Sequence, residues 1–282
     1  MCVLWGIPYL LIKVAVEDLS PPVVVLARTS IGALVLLPIA ASRGYLRPLI
    51  HLWRWVAAFT VLEIAGPWLL LTDAETRLSS SFTGLLIAAV PMVAAVASFA
   101  AGLDDKLDRT RLLGLVVGIA GVATLLGLDL GGEVTAAVEL GLVVLGYGTA
   151  PLIISTKLSD VPSLGVIAAS LGLTAVVYAP VSAFSWPSHV PSGRVITSVV
   201  LLATACTVVA FLCFFALIAE AGPNRALVIT FVNPAVALVL GVLLLNESVT
   251  AGLIVGFPLV LLGCILATRS STRQLVPALA EP

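Results

Sequence analysis

Ten runs of apolar residues, separated by short polar breaks, follow one another along the 282-residue chain. Most have about the 20 residues that an α-helix needs to cross the ~30 Å hydrocarbon core of a bilayer. Charged residues make up 10% of the chain, against about 25% in soluble domains. The sequence therefore predicts an all-α membrane protein with ten transmembrane helices. The predicted helices are 1–16, 22–41, 53–72, 81–101, 112–128, 137–156, 163–184, 195–218, 226–245 and 251–268.

The distribution of basic residues between the loops predicts the orientation of these helices. With the N-terminus inside, ten Lys and Arg side chains lie on inner loops or the tail, and two, Arg77 and Arg194, lie on outer loops. Cytoplasmic loops carry such an excess of basic residues. We therefore expect a multi-pass protein of the cell (plasma) membrane with both termini cytoplasmic. The inner residues are Arg43, Arg47, Arg54, Lys106, Arg109, Arg111, Lys157, Arg225, Arg269 and Arg273.

The second half of the chain repeats the first at an offset of 141 to 143 residues. The matched pairs are Gly6 with Gly148, Pro8 with Pro151, Pro21 with Pro162, Pro91 with Pro234, Gly114 with Gly256 and Gly121 with Gly263. An odd number of helices in each half forces the second copy to enter the membrane from the opposite side, which gives an inverted repeat. The predicted division is a five-helix repeat at 1–128, a linker at 129–136, a second five-helix repeat at 137–268 and a disordered cytoplasmic tail at 269–282.

Inverted repeats are the usual construction of secondary transporters, with the substrate near the midplane between the halves. A duplicated scaffold without transport would show the same pattern. The chain contains no HExxH, GxSxG or glycine-rich phosphate loop, so no catalytic residue is predicted. Its charge of −1 and lack of a basic tract argue against a nucleic-acid partner, and its few His and Cys predict neither metal nor cofactor. A membrane-embedded enzyme and a non-transporting channel or sensor are the alternatives.

Several motifs occur in the same order in both halves. The first half carries Trp5-Gly6, Lys13, Pro21, Arg28, Pro91, an acidic turn at Asp104-Asp105, Leu113-Gly114 and Gly121. The second half carries Pro234, Asn246-Glu247, Thr250, Gly256 and Gly263. This order resembles the EamA family of the drug/metabolite transporter superfamily, although the first acidic turn reads Asp-Asp-Lys where that family usually has Gly-Glu.

The resemblance implies a ten-helix bundle with two five-helix repeats around a central cavity. It implies export or exchange of small metabolites, with amino acids and drug-like amines among the substrates. It also implies that the first, third, fourth, sixth, eighth and ninth helices line the cavity.

Glu63 lies ten residues into the predicted helix 53–72, at mid-membrane. A charge near a helix centre costs about 2.5–3.5 kcal/mol on the insertion scale, so such a residue persists when it is buried, paired or functional. Pro67, four residues later, cannot donate a hydrogen bond to the carbonyl of Glu63. This pattern predicts a cation or proton site. A buried ion pair with Lys13 or Arg28, the other two ionisable residues inside predicted helices, is the alternative.

Lys13 and Arg28 are expected nearer the outer surface, where long side chains reach the headgroups. We interpret Arg28 as structural. Trp5, Tyr9 and Lys13 share one face of the first helix, which either lines the cavity or packs on a neighbouring helix.

The positions equivalent to these charged residues are uncharged in the second half, so recognition there is expected from aromatic and polar side chains. The candidates are Tyr147, Phe211, Phe214, Phe231 and Asn233, each with core packing as its alternative. Pro91 and Pro234 interrupt equivalent helices and act either as gates or as fixed kinks.

Two spaced glycine pairs, Gly114 with Gly118 and Gly252 with Gly256, predict close helix packing, within the chain or between two copies. We expect a monomer or weak homodimer in the lipid bilayer. The predicted function is a secondary transporter that exports or exchanges small metabolites such as amino acids or amines. It would work by alternating access, with proton coupling through Glu63 if this residue faces an open cavity.

Overall fold

The computed structural model describes residues 1–103, 108–129, 132–221 and 229–268. All regular elements in these ranges are helical. They are α1 (Cys2–Ala15), α2 (Pro21–Ser42), α3 (Trp53–Arg77), α4 (Ser80–Ala100), α5 (Arg109–Asp129), α6 (Val134–Lys157), α7 (Ser163–Ala183), α8 (Gly193–Ile218), α9 (Ile229–Leu245) and α10 (Ala251–Thr268). Eight of the described helices have the length and hydropathy to cross a membrane, whereas α1 and α9 are apolar but shorter.

The outward surface of the helices is apolar. Leu34, Val176 and Leu243 are each at least 70% exposed, and many other large aliphatic side chains also face outward. A surface of this kind suits the hydrocarbon of a bilayer and would aggregate in water. The protein is a multi-pass membrane protein.

The helix α3 is longer than the sequence predicted, because it ends at Arg77 instead of residue 72. The other described helix ends lie within three residues of their predicted positions. The extension places Glu75 inside α3, where the residue is 0% exposed. The expectation that Lys13, Arg28 and Glu63 are the only ionisable residues inside helices is therefore wrong.

The main helix contacts follow the same pattern in both halves. Helix α2 packs on α7, α4 on α9, and α5 on α10. Contacts of α3 with α6 and α4 with α6 correspond to contacts of α8 with α1 and α9 with α1. Replacing each helix by the helix five places away leaves these pairings unchanged.

The backbones of α5 and α10 touch through glycine. A Cβ on Gly263 would overlap the backbone of Gly118, and a Cβ on Gly114 would overlap the backbone of α10 at Ala267. Small residues allow membrane helices to approach this closely. This glycine face of α5 is therefore covered by α10 of the same chain.

Two helices contain a short π-helical segment at equivalent positions. In α3 the segment is Thr60–Ala65, and in α8 it is Thr204–Val209. Single turns of π-helix inside α-helices are rare and occur frequently at functional sites. Neither π-helical segment was predicted from the sequence.

The two proline positions differ in their effect. Helix α4 is broken into Ser80–Ile87 and Val90–Ala100, just before Pro91, whereas Pro234 lies inside the continuous helix α9. At the break in α4, Cys264 Sγ of α10 donates to the carbonyl oxygen of Ala88 at 2.9 Å. The interruption in α4 is thus bonded to α10.

The two arginines expected on outer loops both pair with acidic side chains. Arg77 contacts Asp73 at 2.8 Å and also Glu139, and Arg194 lies 3.6 Å from Glu17. Several predicted features lie outside the described residues. They are Asp104, Asp105, Lys106, part of the linker 129–136, Arg225, and the tail 269–282 with Arg269 and Arg273.

Candidate functional site

Glu63 lies within the π-helical segment of α3, midway along that helix. Its Oε2 atom is buried and has no hydrogen-bond partner among the described residues. Gly66 permits the tight backbone here, because a Cβ at this position would lie 2.7 Å from the carbonyl oxygen of Val61. Pro67 follows and is buried, and it lacks the N–H that would bond the carbonyl of Glu63. Sequence and structure agree on an irregular backbone around a carboxyl group that has one buried oxygen.

Tyr147 of α6 lies within electrostatic range of Glu63 and stands beside Trp68 of α3. Gly146 brings α6 close enough for this contact. A Cβ at Gly146 would overlap the carbonyl oxygen of Leu62 and lie 3.2 Å from Cγ of Pro67. The close approach of α6 to the π-helical segment of α3 therefore sets the position of Tyr147.

Arg28 also lies within electrostatic range of Tyr147, and it is 9% exposed. Its Nε donates to Oγ1 of Thr207 at 2.9 Å, and its guanidinium carbon lies 3.4 Å from the ring centroid of Trp68. Thr207 belongs to the π-helical segment of α8. The expectation that Arg28 reaches the headgroups is therefore wrong, because a cation–π contact and a hydrogen bond hold it inside the bundle. Neither Trp68 nor Thr207 was predicted from the sequence to belong to this site.

Lys13 does not reach Glu63. Its Nζ donates to the backbone oxygens of Glu75 and Leu78, at 2.6 Å and 2.7 Å. No ion pair joins Glu63 to Lys13 or Arg28 in the part of the chain that the structure describes. The described contacts therefore do not contain the buried ion pair that the sequence left as an alternative.

Glu75 carries a fully buried carboxyl group on the same helix, and both of its oxygens lack a partner among the described residues. Tyr9 of α1 is buried and lies within electrostatic range of both Glu75 and Arg28. The sequence does contain a signal for this burial. Trp68, Leu71 and Glu75 share one helix face, at the spacing that a buried stripe requires.

Three of the remaining aromatic candidates, Trp5, Phe211 and Phe214, form a cluster between α1 and α8. The ring centroids of Trp5 and Phe214 are 4.7 Å apart, and those of Trp5 and Phe211 are 5.9 Å apart. Phe211 also stacks on Phe215 at 6.1 Å. These rings pack against one another, and Phe211 and Phe215 also pack on the same hydrophobic core as Tyr147.

Phe231 and Asn233 lie on α9, next to α1. Phe231 packs against the hydrophobic core. In the amide orientation that satisfies its neighbours, Asn233 donates to the carbonyl oxygens of Cys2 and Ile229, at 3.0 Å and 2.9 Å. Both residues have contacts typical of helix packing. Glu63 is not among these contacts.

A cavity of about 430 Å³ lies between α4, α5 and α6. It is lined by apolar residues and contains none of the predicted site residues. Its lining residues are Leu86, Ala89, Val93, Val122, Leu126, Ala137, Val138, Gly141, Leu142, Val144 and Leu145.

Comparison with known proteins shows similarity along almost the whole chain. The chain is 24% identical over 281 residues to the uncharacterized transporter YvbV of Bacillus subtilis (strain 168), covering 97% of this chain and 91% of that protein. A crystal structure of a protein with 21% identity matches the fold with a TM-score of 0.67, over 95% of this chain and 94% of that chain. The model of the EamA-like transporter family matches twice, at residues 1–127 and 137–269. Because these two matches span nearly the entire chain, the protein belongs to the EamA-like transporter family and is a membrane transporter.

Proposed function

We propose that this transporter exports or exchanges small metabolites that carry an amino group, amino acids or amines, and that it couples this movement to protons. The observation that carries the proposal is the buried, unpartnered carboxyl oxygen of Glu63 beside Tyr147, with Arg28 within electrostatic range of the same tyrosine. A metabolite transporter needs such a polar group inside an otherwise apolar helix bundle to bind its substrate.

The chemistry of the site favours a ligand with an ammonium group. A charged carboxylate oxygen that is buried without a hydrogen-bond donor is disfavoured, so Oε2 of Glu63 favours either a proton or a cationic ligand. A substrate ammonium and a proton can therefore compete for the same oxygen atoms. This competition is the physical basis for exchange of one against the other.

Arg28 adds a preference for a carboxylate on the same substrate. Its bond to Thr207 uses Nε, and the other N–H groups of a guanidinium suit bidentate binding of a carboxylate. Trp68 contacts Arg28, Tyr147 lies within electrostatic range of both charged groups, and the two rings supply aromatic walls. We therefore propose α-amino acids as the preferred substrates, with simple amines binding through Glu63 alone.

Alternating access would use the two halves as inverted five-helix repeats, 1–128 and 137–268, with both termini cytoplasmic. The helix pairings, which are unchanged by exchange of the halves, support this arrangement. The π-helical segments of α3 and α8 lie at equivalent places beside Glu63 and Arg28. We propose that these segments, together with the break in α4, are the points where the helices bend.

Counterflow in liposomes tests the proposal directly. Purified protein would be reconstituted with a panel of unlabelled amino acids or amines inside, and uptake of the labelled compound would be measured. We expect transient accumulation for an amino acid and its loss in Glu63→Gln, whereas Glu133→Gln, the same change at an exposed carboxylate, should behave like wild type. A membrane-embedded enzyme, a sensor or a simple pore would give no counterflow with any compound.

A further inference from the structure

A second polar cluster lies where α3 turns into α4, at the end of the bundle away from the termini of the chain in the proposed topology. We call it the corner cluster and define it by Lys13, Glu75, Ser80, Ser81 and Glu247. Glu75 is 0% exposed, although it carries an ionisable group. The proposed transport chemistry at Glu63 does not use this residue.

Glu247 is fully bonded within this cluster. Its carboxylate accepts hydrogen bonds from the backbone N–H groups of Ser80 and Ser81, at 2.7 Å and 2.9 Å, and from the Ser81 hydroxyl at 2.5 Å. The start of a helix favours an anion at this position. The Glu247 side chain therefore fastens the turn that follows α9 to the first turn of α4.

The turn itself is shaped for this contact. Asn246 has a φ of 54°, and the Glu247 N–H donates to the carbonyl oxygen of Gly241 at 3.1 Å. A Cβ at Gly241 would overlap the Glu247 carboxylate and the Ser81 hydroxyl. The local backbone thus directs Glu247 onto α4.

Glu75 has the opposite environment in the same cluster. Neither of its carboxyl oxygens receives a hydrogen bond from the described residues, whereas the Nζ of Lys13 bonds to backbone oxygens. A buried carboxylate without donors is far less stable than one with three. When the cluster holds one proton, Glu75 is therefore the group that carries it.

Of the other ionisable groups around Glu75, the oppositely charged Lys13 bonds backbone oxygens and not the Glu75 carboxyl group. Tyr9 and Lys13 face it from α1, and Glu247 faces it from the turn after α9. Along α3 toward the outer end, Arg77 is engaged with Asp73 and with Glu139 of α6. Arg28 of α2 lies deeper and is held by Trp68 and Thr207.

We propose that Glu75 is a second proton-binding site, separate from Glu63, and that its proton holds the corner cluster closed. Loss of this proton to water leaves a carboxylate next to the Lys13 ammonium, which then leaves the backbone oxygens of Glu75 and Leu78 to pair with it. That movement breaks the bonds that hold α1 to the end of α3. The turn between α9 and α10 stays bonded to α4 through Glu247. The proposal that release of α1 gates transport rests on the transport function proposed above. The proposal that Glu75 binds a proton does not.

Infrared spectroscopy of the purified full chain tests the proton site. We expect the band of protonated carboxyl groups at neutral pH to lose one component in Glu75→Gln and a different component in Glu63→Gln. An unchanged band in Glu75→Gln would overturn the proposal. If that variant does not fold, Glu75→Asp keeps the group and must shift its component, and absence of a shift would overturn the proposal equally.

Hydrogen exchange measured by mass spectrometry tests the gate. At a pH where wild type loses the Glu75 component, the backbone amides of α1 around Lys13 should exchange severalfold more slowly in Glu75→Gln, because the neutral amide mimics the protonated acid and keeps Lys13 on the backbone oxygens of Glu75 and Leu78. Equal exchange in the two proteins would refute the gating role. A positive infrared result without counterflow would leave the proton site standing and remove the proposed transport function, so the two failures are distinguishable.

Discussion

Arg28 of α2 donates a hydrogen bond from Nε to Oγ1 of Thr207 in the π-helical segment of α8, at 2.9 Å. The two residues are 179 positions apart and belong to different halves of the chain. Arg28 also rests on the ring of Trp68 in α3. One guanidinium group thus connects three helices beside the proposed substrate site.

Replacing Thr207 with Val should weaken this connection. The change leaves a buried guanidinium nitrogen without its acceptor, and a hydrogen bond to a charged group contributes about 1.5–3 kcal/mol. We expect a lower free energy of unfolding and reduced counterflow of amino acids, with less effect on simple amines. The matched control is Thr204→Val, because the Thr204 hydroxyl bonds only within its own helix in the described contacts. Equal loss in both variants would show that the Arg28 contact has no special role.

Replacing Glu63 with Gln should abolish transport that depends on a pH gradient while the protein still inserts and folds. The amide keeps the size of the side chain but cannot take up or release a proton. Substrate-driven proton movement, followed with a pH-sensitive dye inside liposomes, measures this directly. Normal proton movement in the purified variant would make Glu63 a structural residue.

The orientation of the chain is tested by reporter fusions placed after Arg47 and after Arg269. Both positions follow an even number of predicted crossings, so both should report the cytoplasm. The excess of Lys and Arg on the same side gives the physical reason. An external signal at either position would reject the proposed topology.

Substituting Gly263 with Ala should destabilise the fold. The added Cβ would overlap the backbone of Gly118, and overpacking typically costs about 1–3 kcal/mol. Gly127→Ala on α5 is the control, since its Cβ would meet nothing within 4 Å. Thermal unfolding in detergent should show a lower midpoint for the first variant and no loss for the second. A similar midpoint for both would mean that α5 and α10 can separate without penalty.

The helices were largely predictable because every backbone polar group in lipid must be bonded within the protein, so long apolar runs have few conformations available. Glu63 could be predicted as a candidate site residue for a related reason, because a charged side chain is energetically costly at mid-membrane. Glu75 was not predicted to be buried because its neighbours Asp73, Thr76 and Arg77 are polar and resemble a loop. Its burial depends on α1 packing over that end of α3, which brings Lys13 to the backbone of Glu75.

The interior position of Arg28 could not be read from the sequence. It depends on how α2 and α8 pack against each other, and no local pattern encodes a contact between residues so far apart. The π-helical segments escaped prediction as well. A π-helical segment alters hydrogen bonding over one turn, and the apolar pattern on both sides of it continues without a visible break.

The backbone contact between α5 and α10 makes these two helices a rigid pair, against which movements of the other helices can be measured. Where glycine backbones touch, as at Gly118 and Gly263, there are no side chains that could change rotamer and let one helix slide past the other. The two helices should therefore keep their distance while other helices rearrange. Val116 and Ile254 are exposed on this pair and accept spectroscopic labels without entering the interior. Distances from these labels to probes on α3 or α8 would report the movement of those helices against a fixed origin.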